Sequence, residues 1–170
     1  MPAAQYARER LFEPVGMLRT SLHEFPAGQA WTYADAETTL RDFARIGQLV
    51  LDEGVVGGKQ VVPSAWITRC FTPTSLNPNY GFMWWLDYPE KRGLVESFSK
   101  TLSRRLGLRV QSNPPSIAST QGYRNTDCYV LLDIGIVAAR MQMEENPSGA
   151  LIYGRRDALR VLDNIVPPSE

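Results

Sequence analysis

The 170-residue chain predicts an α+β fold, a mostly antiparallel sheet with flanking helices. Three patterns carry that reading. Leu40, Phe43, Ile46, Leu49 and Val50 recur at three- and four-residue spacing, which places them on one face of a helix. "EGVVGGKQVV" sets two short β-branched runs about Gly57-Gly58, the pattern of a two-residue hairpin. "CYVLLDIGIVAARMQM", Cys128 to Met143, gives two nearly continuous apolar runs about Asp133 to Gly135. This predicts a second hairpin, its strands central in the sheet and covered on both faces.

The remaining elements follow in order. Ala3 to Phe12 reads as a short helix stopped by Pro14 and Gly16, because proline lacks the donor that would continue the ladder and glycine takes the turn. The helix from Thr39 to about Asp52 has Asp35 or Thr38 as its cap. Pro63 opens a helix through Trp66 and Ile67, at a position where its missing N–H costs nothing. "NYGFMWWLD", Asn79 to Asp87, is aromatic-rich and reads as a strand, so the adjacent Trp84 and Trp85 face opposite sides. "SNPPSIAST", Ser112 to Thr120, reads as a loop. Arg155 to Val166 is a last helix with Leu159, Leu162, Ile165 and Val166 as its stripe.

Length and charge narrow the function classes. The chain is one ordinary domain's worth, so residues 1–170 are expected to form a single domain. Eighteen basic and eighteen acidic residues leave no net field to favour nucleic acid or an acidic lipid surface. No stretch reaches the roughly 18 apolar residues needed to span a bilayer, and Met1 to Arg10 lacks the apolar core of a signal peptide; the compartment stays open. Cys70 and Cys128 are too few and too far apart for a disulfide framework or a metal knuckle, so two buried thiols and no metal or cofactor are expected.

Ser97-Phe98-Ser99-Lys100 spells S-x-x-K, and Tyr123-Arg124-Asn125 spells Y-x-N, motifs that pair in serine acyl-transferring enzymes. Both are read as decoys. Eleven serines and three lysines give roughly 0.2 chance S-x-x-K matches in such a chain. Leu94, Phe98, Leu102 and Leu106 fall every four residues, which makes residues 91–109 a basic amphipathic helix with Ser97 and Lys100 on its hydrated side. A lysine base has to be desolvated and neutral, and that face keeps it charged. His23, the single histidine, falls in a turn or on the surface. Asp35, Glu37 and Asp42 read as capping and dipole complement rather than as a metal or carboxylate-pair site.

Longer stretches carry a resemblance. "ERLFEPVGM" (Glu9 to Met17), "TTLRDFARIGQLVLDEGVVGGKQVVPSAWI" (Thr38 to Ile67), "NPNYGFMWWL" (Asn77 to Leu86) and "YVLLDIGIVAARM" (Tyr129 to Met141) cover most of the chain outside a variable insertion at 88–120. In this order they resemble the C-terminal part of the serine β-lactamase-related hydrolases: class C-like β-lactamases, D-stereospecific peptidases and esterases of the penicillin-recognising superfamily. The resemblance implies a partial β-lactamase/DD-peptidase-like fold. It also implies that the true S-x-x-K and Y-x-N lie upstream of the turn at Pro14-Val15-Gly16-Met17, outside this polypeptide.

In the matching frame Tyr123, Arg124, Asn125 and Thr126 fall where such enzymes keep their third motif, K-T-G or H-x-G. Tyr123 takes the cationic position without a positive charge, Arg124 is the nearest replacement for it, and Asn125 brings a Cβ to the glycine position. Thr126 N–H is the candidate oxyanion donor. The resemblance implies a small-molecule amide or ester substrate for a parent enzyme, no cofactor, and no activity for this chain alone. The alternative is a non-catalytic binding or structural module with 91–109 as its interaction surface. Without the family's upstream strands, an uncovered sheet edge is expected to favour self-association.

Overall fold

In the computed structural model, which describes residues 1–26, 28–87, 117–122, 126–132 and 135–141, the first helix runs past Pro14. α1 (Ala3–Ala7) leads into a π-helical turn, Arg8–Phe12, and then into α2 (Glu13–Val15). In a regular α-helix the Pro14 ring would meet the carbonyl four residues back. The wider turn, closed by Glu13 N–H on the Arg8 carbonyl, instead places Pro14 at the start of α2, where no donor is required. The helix ends at Gly16, whose φ of 79° is the left-handed conformation glycine takes without a steric penalty.

The described residues belong to two compact units, Met1–Thr68 and Arg69–Glu170. In the first, four two-residue strands follow the helix: β1 (Ser21–Leu22), β2 (Glu24–Phe25), β3 (Gln29–Ala30) and β4 (Ala36–Glu37), with β1 paired to β4 and β2 to β3. α3 (Leu40–Leu51) is capped by Thr39, whose hydroxyl oxygen accepts the Asp42 N–H at 3.2 Å, so neither Asp35 nor Thr38 is the cap. Asp35 lies in an exposed turn at φ 64° instead. The core joins Phe12, Val15, Met17 and Leu49, with Ile46 and Val56 against it, while Leu40, the first residue of the predicted stripe, is 47% exposed. β5 (Val55–Val56) and β6 (Lys59–Gln60) form the predicted hairpin, both turn glycines having positive φ. α4 (Ser64–Cys70) follows Pro63 as expected.

Asp42 ties this unit together. Its side chain is buried, and Oδ2 accepts from the Arg19 N–H at 2.8 Å and the Thr20 hydroxyl at 3.2 Å, while Oδ1 accepts from the Arg45 guanidinium at 2.6 Å. The segment after the Gly16 turn is thereby fastened to the first turn of α3.

In the second unit the sheet runs β10-β9-β8-β7, antiparallel throughout: β7 (Trp85–Asp87), β8 (Ile117–Gly122), β9 (Thr126–Leu131) and β10 (Ile136–Arg140). Its centre is β8 and β9, where Ile117, Ala118, Ser119, Cys128, Tyr129 and Val130 are at most 1% exposed. Ile117 to Thr120 are therefore strand, not the end of a loop, and four residues of the expected insertion belong to the middle of the sheet. Composition concealed this, because Ala118 and Ser119 are small and follow Pro114-Pro115. They are small because of their neighbours: Ala118 stands between Leu86 and Val130, Ser119 between Trp85 and Tyr129. The β9–β10 hairpin forms as predicted, with Gly135 N–H donating to the Leu131 carbonyl. β9 has the burial expected of a central strand, whereas β10 is half-buried and outermost among the described strands.

The Asn79–Asp87 stretch is a strand only from Trp85. It doubles back at Phe82-Met83, with Gly81 N–H bonded to the Trp84 carbonyl and Leu86 N–H to the Asn79 carbonyl, each at 2.9 Å. Met83 takes φ 62°, and Gly81 passes so near the end of α4 that a Cβ there would lie 2.0 Å from the Cys70 carbonyl oxygen. Trp84 is buried edge-on to Phe71, while Trp85 meets Tyr80, so the pair does reach different partners. The expected helices at 91–109 and at Arg155 to Val166 lie outside the described residues.

Two substitutions test this construction by urea unfolding. Asp42→Ala takes the acceptor from the Arg19 N–H and the Arg45 guanidinium, leaves the Thr20 hydroxyl only Thr38, and should lower stability by about 1–3 kcal/mol. Gly81→Ala should cost a similar amount, about 1–3 kcal/mol, since backbone has to move to admit one methyl group.

Candidate functional site

Gly122 closes β8 and Thr126 opens β9, and the two face each other across the ladder. Of the four residues in the expected third-motif position, Tyr123, Arg124 and Asn125 lie outside the described residues. Thr126 is placed, half-buried, as the first residue of the most buried strand. A Cβ on Gly122 would come within 3.0 Å of the Thr126 carbonyl oxygen, so glycine keeps the neck of this hairpin narrow.

Directly behind Thr126 sits a polar network that the sequence reading did not single out. Asp127 is 5% exposed and its Oδ2 accepts from the Tyr129 hydroxyl at 3.1 Å and from the Arg140 guanidinium, which faces it in register on β10. Burial is the main cause that pushes the Tyr129 phenol far above its ordinary range, and the Asp127 carboxylate pushes it further. Tyr129 therefore keeps its proton at neutral pH and serves as a donor, not as a base. A signal for this network was available: Asp127 and Arg140 bracket the apolar run with opposite charges, equidistant in sequence from its midpoint.

The other polar side chains on these strands are structural. Thr120 Oγ1 accepts the Cys128 N–H at 3.2 Å. The Ser119 hydroxyl has no hydrogen-bond partner among the described residues, but its side chain is fully buried between Trp85 and Tyr129 and closed to a substrate. Burial raises the Cys70 thiol above its ordinary value, which makes it a poor nucleophile.

Among the described residues, the remaining sequence candidates do not assemble into a catalytic group. Ser97 and Lys100 lie outside the described residues. His23 is exposed, its N–H donating to the Asp35 carbonyl at 3.3 Å and its ring against Phe25. Asp35 and Glu37 are exposed while Asp42 is buried and bonded, and no three acidic, histidine or cysteine residues among those described could hold a metal. Among the described residues no helix is long and apolar enough to cross a membrane.

No family model matches the chain, and no curated protein matches it in sequence. A match appears among solved structures. A protein from Bacteroides dorei DSM 17855, described as a putative beta-lactamase, superposes with a TM-score of 0.58 at 14% identity, over 96% of this chain. The chain has a β-lactamase-like fold. At that identity the likeness concerns fold alone. The chain spans 51% of the length of that β-lactamase-like neighbour, about half.

The network gives a pH-dependent prediction. Since Tyr129 binds its proton more tightly folded than unfolded, its contribution is complete below its ordinary value of 10.0 and declines as pH rises beyond it. Unfolding free energies measured from pH 8 to 11 should fall at the alkaline end, and Tyr129→Phe should flatten that fall while costing about 1 kcal/mol at neutral pH.

Proposed function

We propose that this chain supplies the C-terminal part of a β-lactamase-related serine hydrolase, contributing the third-motif hairpin and one wall of a cleft. The observation that carries this reading is the match over 96% of this chain but 51% of the β-lactamase-like neighbour. The hairpin neck at Gly122 and Thr126, braced from behind by Asp127 and Arg140, supports it.

In the parent reaction a serine hydroxyl from outside these residues attacks the carbonyl carbon of a small amide or ester, and its proton passes to a neutral lysine amine. The negative charge that develops on the carbonyl oxygen needs fixed N–H donors, and Thr126 N–H is the candidate on this side. Expulsion of the amine or alcohol leaves an acyl-serine, and water then releases the acid. Arg124 is the residue in this chain that would attract a substrate carboxylate, in place of the missing cation at Tyr123.

Every group that attacks or accepts the first proton comes from elsewhere in this scheme, so the isolated chain should be inert. A chromogenic ester and a chromogenic cephalosporin should show no saturable turnover, and a fluorophosphonate probe should leave the chain unlabelled. Turnover abolished by Ser97→Ala would overturn the proposal. An in-frame S-x-x-K and Y-x-N in the coding sequence upstream of Met1 is the expected positive result. Their absence there would favour the non-catalytic module, a reading that rests on Tyr123 and Asn125 replacing the cation and glycine of the motif.

A further inference from the structure

A row of rings runs along the β2–β3 hairpin and the turn that follows it. His23 lies edge-on to Phe25 at 5.0 Å between centroids, Phe25 meets Trp31 at 4.7 Å, and Trp31 stacks with Tyr33 at 6.2 Å and 23°. Trp31 is 47% and Tyr33 71% exposed, so the far end of the row presents its rings to water. Among the described residues, the core cluster of Phe12, Val15, Met17 and Leu49 does not include them.

The charged residues of the segment that carries the row are acidic. Between Thr20 and Leu40 the chain carries Glu24, Asp35 and Glu37 and no lysine or arginine, in a protein whose charges balance overall. All three carboxylate residues are exposed. Glu24 stands between the first two ring residues in sequence, and the Asp35 carbonyl accepts the His23 N–H. The cation that shares a cavity with His23 and Glu24 is Arg8, and it is paired with Glu13 at 2.8 Å.

Electron-rich ring faces beside exposed acids attract a cation that can lie flat. A guanidinium does so better than an ammonium, because it is planar, delocalised and weakly hydrated. The spacing points the same way: side chains on one face of an extended peptide recur about every 6–7 Å, and the two exposed rings, Trp31 and Tyr33, stand 6.2 Å apart. We infer that the His23–Phe25–Trp31–Tyr33 row binds an extended, arginine-bearing peptide segment, its guanidinium groups stacked on Trp31 and Tyr33 and balanced by Glu24 and Asp35.

The test uses the whole chain and a capped hexapeptide of alternating arginine and threonine, in which the β-branched residue favours the extended form. Its counterpart carries citrulline, neutral and of the same shape, in place of arginine. Titration followed by calorimetry and by the Trp31 indole N–H resonance should saturate with the arginine peptide. The citrulline peptide, the Trp31→Ala chain and the Glu24→Gln/Asp35→Asn chain should each bind about tenfold or more weakly. Should Trp31→Ala lose its fold by circular dichroism, Tyr33→Ala, at a more exposed position, takes its place. Equal binding of the citrulline peptide, undiminished binding by a folded ring variant, or no saturation in the millimolar range would each overturn the inference. Tetramethylammonium binding as tightly as the peptide would overturn it too, in favour of a small-cation site.

Discussion

A carboxylate taken out of water has to be given donors where it is buried, and each compact unit of this protein is organised about one such group. Asp42 and Asp127 are 4% and 5% exposed. Asp42 collects a backbone N–H, a hydroxyl and a guanidinium from the segment after Gly16 and from α3. Asp127 collects a phenol and a guanidinium from the two strands of one hairpin. Removing one partner of a buried pair leaves a charge without compensation, which is far more costly than the pair is stabilising. These contacts therefore select one arrangement of the chain more than they add to its stability. Asp127 does so at the start of β9, where a one-residue slip would reverse which side chains face inward.

Elements set by local patterns were legible in the sequence. The α3 stripe from Phe43 to Val50, the Gly57-Gly58 turn, the helix after Pro63 and the β9–β10 hairpin depend on spacing and turn chemistry, and these stand where they were expected, with Leu40 alone of the stripe exposed. The misreadings share a cause, which is that the decisive partner is distant in sequence. Ile117 to Thr120 looked like loop because the large side chains that complete their packing sit on β7 and β9. Asn79 to Asp87 looked like one strand because nothing local announces the reversal at Phe82-Met83, which depends on Gly81 lying against Cys70. Pro14 looked like a helix end because a π turn that makes room for it is rare.

The candidate site was less legible than the fold. Asp127, Tyr129 and Arg140 belong to no short motif, and only the symmetry of opposite charges about the apolar run connects them. The S-x-x-K and Y-x-N strings lie outside the described residues, and a correct spacing alone carries no acyl-transfer chemistry without a dry pocket and a second shell. The β-lactamase-like fold and the chemistry proposed for it thus rest on different evidence. The fold follows from the sheet and its match, while the reaction rests on a hairpin whose reactive partners would come from beyond these residues.

The β5–β6 turn has a practical consequence. Nothing lies within 4 Å of where a side chain on Gly57 or Gly58 would project, so this tip stands clear of its own unit. The entropy of closing a loop grows only with the logarithm of its length. A short affinity handle or fluorophore-bearing insert spliced between the two glycines would lengthen the turn without entering the interior, giving a tether for capture experiments that leaves both termini untouched.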